Sequence, residues 1–121
     1  MEFADLRRRL RDFADERDWN RFHTPKNLAM ALVGEVGELV EIFQWLTPEQ
    51  SRAVMADPRT AEQVRHELAD VLAYLVRLAD VLGVDLLAAS EEKLRLNEAK
   101  YPVELARGRA DKYDQLPSEG A

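Results

Sequence analysis

The chain has 121 residues, 46% hydrophobic and 33% charged, with five glycines, five prolines and no cysteine. That profile suits one compact, helix-rich domain with a real core, small enough that self-association adds useful burial. The formal net charge of −6 argues against binding nucleic acid polymers, which rests on Lys and Arg at phosphates. The lack of cysteine excludes disulfides, thiolate metal sites and cysteine nucleophiles.

Met1 to Arg11 is charged and amphipathic, without the basic-then-apolar pattern of a secretory signal. The longest apolar run, Leu28 to Val33, falls far short of the roughly 20 residues that span a bilayer. A cytoplasmic protein with no membrane partner is expected.

Phe3, Leu6, Leu10 and Phe13 recur at helical spacing and predict an amphipathic helix from Phe3 to about Trp19. After a connector from Asn20, Thr24-Pro25 reads as an N-cap with proline at the first helical position, opening a helix to about Leu46. Its middle, Ala29 to Val40, is apolar on nearly every side except at Glu35 and Glu38, which predicts burial. Gly34 and Gly37 inside it suggest close approach of another backbone or a ligand. Thr47-Pro48 ends that helix, and a short one over 49–55 is expected. Thr60 and Gln63 form a capping box for a helix from Ala61 to about Leu82, which Gly83 stops. Asp85 caps a fourth long helix to about Lys100, ended by Pro102. No strand-like alternation and no internal repeat is present. The fold class is all-α, a four-helix-bundle-like single domain over 1–116 with a flexible tail over 117–121.

Glu35 and Glu38 are three apart on one predicted helix, and Glu67 and Asp70 three apart on another. Side chains at that spacing share a face, with Cβ atoms roughly 5–6 Å apart, so each pair can aim two carboxylates at one point. None of the four has Lys or Arg three or four residues away. Clustered carboxylates without basic neighbours need protons, distant cations or a metal. The donors are hard oxygens, suited to magnesium, manganese or calcium. The alternative is four ordinary solvated acids. His23 and His66 make no ligand cluster and are expected to be exposed or hydrogen-bonding residues.

The stretch from Glu35 to Trp45, EVGELVEIFQW, followed by Glu67 to Tyr74, ELADVLAY, resembles the MazG-related all-α NTP pyrophosphohydrolases, and within them the dCTP pyrophosphatases. The likeness extends through Glu16 to Asn27, Lys93 to Pro102 and Arg107 to Tyr113. It implies a MazG-type oligomer, a homotetramer or homodimer, that cleaves the α–β bond of dCTP or modified dCTP to a monophosphate and pyrophosphate. It also implies Mg²⁺, with Mn²⁺ as substitute, on Glu35, Glu38, Glu67 and Asp70. Glu38, beside Glu35, is the carboxylate expected to orient the attacking water. By the same resemblance Trp19, Trp45 and Tyr74 line the base pocket and Asn27 meets the nucleotide. Lys93 and Asn97, with Arg109 and Lys112, contact phosphates or ribose. One position departs: Leu10 stands where some close dCTP-cleaving relatives carry a histidine, and leucine makes no polar contact with a base.

Two other readings stay open. One is a broader (d)NTP or dUTP-type pyrophosphohydrolase. The other is a non-catalytic helical module that binds metal and oligomerises. No Gly-rich phosphate loop is present, which excludes a P-loop NTPase.

Overall fold

The computed structural model describes residues 1–116; the expected tail over 117–121 lies outside the described residues. Among these no strand forms, and the chain is all-α as the periodicity predicts. Contacts group it into two compact units, Met1–Val84 and Asp85–Ala121.

The first unit contains α1 (Phe3–Glu16), α2 (Pro25–Phe43), the short α3 (Pro48–Arg52) and the long α4 (Pro58–Leu82). Both α1 and α2 pack on α4. The core is small: Ala14, Leu28, Ala61, Val64, Val76 and Ala79 are the buried apolar residues. A salt bridge ties α1 to α4, where Arg11 grips Asp80 with two bonds, Nε to Oδ2 at 2.9 Å and Nη2 to Oδ1 at 2.5 Å.

The helix ends follow local chemistry. Thr24 caps α2, its hydroxyl accepting from the Asn27 N–H at 3.2 Å. The expected cap at Thr60 is corrected: α4 begins at Pro58, and the Asp57 carboxylate accepts from the Arg59 N–H at 3.0 Å. An aspartate before a proline outcompetes the later threonine, because it satisfies a free N–H where φ is already fixed. Gly83 closes α4 in the left-handed region with φ 70°. Helix α1 stops at Glu16, short of Trp19, because Asp18 takes φ 55° and the Trp19 N–H returns to the Ala14 carbonyl at 2.9 Å. Helix α2 ends at Phe43 rather than Leu46. The expected helix over 49–55 is split into α3 and a 3₁₀ turn, Val54–Ala56.

The predicted burial of α2 is also corrected. Met30 is 65% exposed, Val33 68% and Val40 49%. Within the first unit α4 covers one face of α2, and its outer face stays open. No heavy atom lies within 4 Å of a Cβ built on Gly34 or Gly37, so the close approach expected there is not made by this chain's described residues.

The second unit contains α5 (Leu86–Lys100) and α6 (Val103–Ala106). Asp85 caps α5 as predicted, accepting from the Ala88 N–H at 3.0 Å. Tyr101 and Tyr113 meet edge to face at 6.4 Å, with the Lys100 ammonium 5.0 Å from the Tyr113 ring.

Candidate functional site

Glu35 and Glu38 come from one turn of α2 and Glu67 from the facing α4. Each offers a carboxylate oxygen, and the three oxygens lie within 4.8 Å of one another. Glu38 is exposed, while Glu35 and Glu67 are half-buried. One Oε2 on each of Glu35 and Glu67 is buried with no hydrogen-bond partner. Both are acceptors when ionised, so only a shared proton or a cation can satisfy them. Burial, followed by the contact with Glu67 and the charges of Glu38 and Asp70, pushes the Glu35 carboxyl up to about 7. Oxygens on opposite sides of a magnesium ion sit roughly 4 Å apart, so this trio fits a divalent cation with little closure.

Asp70 is the fourth expected ligand. It lies outside that trio and lines a cavity of about 270 Å³ one turn farther along α4. Leu10, Phe13 and Ala14 of α1 form one wall of the cavity and Trp19 and His23 another. Ala73, Tyr74 and Arg77 of α4, with Asp70, complete it. Its walls are mostly apolar. The volume sits at the lower edge of the roughly 300–1,000 Å³ typical of small-molecule sites, suited to one ring system. On the other side of the trio, an open groove is lined by Glu38, Glu41, Gln63, His66 and Glu67. Along α4 the order is therefore groove, carboxylates, cavity.

Of the expected base-pocket aromatics, Trp19 and Tyr74 line the cavity. Trp19 packs edge to face on Phe13 and His23, at 5.7 and 6.3 Å between ring centres. Trp45 does not line it and is 86% exposed. Asn27 is not in its walls either; its amide donates to the Phe22 carbonyl at 3.0 Å and braces the start of α2. Leu10 does line it, so the position expected to depart from dCTP-cleaving relatives is on the cavity wall.

Sequence reasoning missed Arg77, the buried charged residue of the described chain. Its Nε donates to His23 Nδ1 at 3.2 Å, Nη1 to Asp80 Oδ2 at 3.1 Å and Nη2 to Asn20 Oδ1 at 2.6 Å. Burial and the Arg77 charge lower the His23 pKa, keeping that imidazole neutral. Hydrogen bonds from Arg11 hold the Asp80 carboxyl below its usual range. The available signal was spacing: Arg77 follows Asp70 by seven and Tyr74 by three, so all three share one helix face.

In the second unit, Lys93 and Asn97 line a shallow groove on α5 together with Ser90. Arg109 is paired with Asp111, Nε to Oδ2 at 2.6 Å. Lys112 is exposed and precedes the closing 3₁₀ turn, Tyr113–Gln115.

The MazG-like family matches this chain over residues 31–116. The dCTP pyrophosphatase 1 of Bos taurus is 50% identical over 113 residues, which cover 93% of this chain and 67% of that protein. The Homo sapiens dCTP pyrophosphatase 1 is 49% identical, covering 93% and 66%. The chain thus spans about two thirds of the length of these relatives. Among solved structures, a pyrophosphatase from Archaeoglobus fulgidus DSM 4304 superposes with a TM-score of 0.76 at 43% identity. The match covers 82% of this chain and 91% of that one.

Proposed function

Because the chain belongs to the MazG-like family, we propose that it is a pyrophosphohydrolase that cleaves the α–β bond of dCTP or modified dCTP, releasing a monophosphate and pyrophosphate. The observation that carries this reading is the carboxylate trio of Glu35, Glu38 and Glu67, with two orphaned buried oxygens, set between an open groove and a base-sized cavity.

Glu35, Glu38, Glu67 and Asp70 hold Mg²⁺, or Mn²⁺ in its place. Such an ion offsets phosphate charge and lowers the pKa of a water. An acidic chain needs that help to hold a polyanion. Glu38, exposed toward the groove, accepts the proton side of the attacking water and orients it. Trp19 and Tyr74 flank the base in the cavity, and the apolar walls exclude water around it. On the same reading, Trp45 and Asn27 meet the nucleotide and Lys93, Asn97, Arg109 and Lys112 meet phosphate or ribose, roles supported by resemblance alone.

The family match runs through both units, which supports one MazG-like domain over 1–116. The open apolar face of α2 and the exposed Trp45 support assembly as a homodimer or homotetramer. Among the described residues no helix is long and apolar enough to cross a membrane. A role in the nucleotide pool favours a cytoplasmic enzyme without nucleic acid or membrane partners. Leu10 in the cavity wall favours a broader (d)NTP or dUTP-type range as the second reading.

The test is a nucleotide panel with Mg²⁺ and resolved products. Monophosphate plus pyrophosphate, led by dCTP, is expected. Diphosphate plus phosphate, or metal uptake and oligomerisation without turnover, would refute the proposal; the latter outcome would identify a non-catalytic module.

A further inference from the structure

We propose that Arg77 selects the ligand of the cavity lined by Leu10, Trp19 and Tyr74, admitting a base that carries a ring carbonyl in preference to adenine, which has none. The inference rests on the reading that this cavity takes the base, and goes beyond it by naming the residue and the chemical feature that discriminate.

A buried cation is costly unless it is paired and hydrogen-bonded, and Arg77 is both. Three acceptors, His23 Nδ1, Asp80 Oδ2 and Asn20 Oδ1, take one N–H each. A guanidinium has five. One N–H on each terminal nitrogen is left, on a side chain that lines the cavity. The fork is held before any ligand arrives, so little rotamer entropy is lost on binding.

The neighbours add donors. Because His23 accepts at Nδ1 and is neutral, its proton sits on Nε2, and the ring offers a second N–H. The Trp19 indole nitrogen also only donates. Asp70, the carboxylate in this wall, would be drawn to the cation under the proposed function. A few donors set in a mostly apolar lining match a carbonyl oxygen, which cytosine, uracil, thymine and guanine all carry. Adenine offers only single-lone-pair ring nitrogens as acceptors, so it satisfies fewer of these donors than a carbonyl oxygen with two lone pairs does. Leaving such buried donors unpaired is what makes a polar site discriminate strongly. Leu10 supplies no polar contact, and Arg77 is the buried cation of this lining.

The test compares kcat/KM for dCTP, dUTP, dGTP and dATP in the wild type and in Arg77→Met; the dGTP to dATP ratio separates the carbonyl from ring size. Wild type should favour carbonyl bases over dATP by about tenfold or more, and Arg77→Met should bring the ratios near unity. The change should lie in KM for dCTP, with kcat nearly unchanged. If Arg77→Met fails to fold, Arg77→Lys keeps the charge without the fork and reads the same ratios. Wild-type ratios in either folded variant overturn the role of Arg77 and leave the proposed function standing. No hydrolysis of any nucleotide by the wild type overturns both.

Discussion

Glu35 on α2 and Glu67 on α4 face each other with one buried carboxylate oxygen apiece and no hydrogen-bond donor for either. The pair is a local conflict in the metal-free chain that a bound cation would relieve. Both consequences can be measured.

The first is pH dependence. The Glu35 carboxyl is raised from 4.5 to about 7, so between those values the folded state binds more protons than the unfolded one. Stability of the metal-free protein therefore falls as pH rises through that window and levels off above it. Calorimetry without metal should give a higher Tm near pH 5 than near pH 8. Added Mg²⁺ should raise Tm at pH 8, by an amount that grows with its concentration, and should do little near pH 5. A Tm that rises from pH 5 to 8 without metal would contradict this.

Glu35→Gln should separate stability from function. The amide supplies a donor to Glu67 and removes a charge, so the metal-free variant should melt higher than wild type at pH 8. Its stabilisation by Mg²⁺ should vanish, and hydrolysis should fall by at least about 100-fold, more than the loss of an outer partner to a metal ligand. Wild-type turnover in this variant would remove Glu35 from the site.

The two arginines on Asp80 should be unequal. Arg11 is half-exposed and Arg77 is not. Arg11→Ala should shift the urea midpoint little, because a solvent-exposed ion pair contributes little to stability. Asp80→Ala leaves Arg77 buried without its carboxylate and should cost about 3 kcal/mol, read from urea melts. Because the folded-state pKa of Asp80 is depressed, its contribution is present above the ordinary aspartate range and is lost as pH falls through the folded value.

At the end of α4, Gly83→Ala should destabilise by about 1 kcal/mol despite open space around the site. The cost is the left-handed backbone at φ 70°. A neutral effect in a urea melt would mean that the helix end rearranges.

Much of the candidate site was legible because its logic is local. The spacing from Glu35 to Glu38 and from Glu67 to Asp70 fixes helix faces, and missing basic neighbours mark the acids as unusual. Trp19 and Tyr74 came from resemblance, and both line the cavity. The caps at Thr24 and Asp85, and the stop at Gly83, were readable for the same local reason. Arg77 was not readable, because its partners Asn20 and His23 lie 57 and 54 residues away in sequence and only folding brings them together. The burial of α2 was overestimated because an apolar pattern says that a face wants cover, not that the same chain supplies it. Asp57 rather than Thr60 caps α4 because its carboxylate meets the Arg59 N–H just past Pro58, where φ is already fixed.

Helix α4 carries groove, carboxylate and cavity residues in succession on one rigid rod. Each residue advances a helix by about 100° and 1.5 Å, so inserting a single residue between Glu67 and Arg77 would swing one set of side chains away from the other. Substitution is gentler: Ala73 and Arg77 can change what the cavity tolerates while Glu67 keeps its place opposite Glu35. The arrangement resists changes in chain length and accepts changes in side chain, so the cavity lining can vary while the carboxylates of α2 and α4 stay in register.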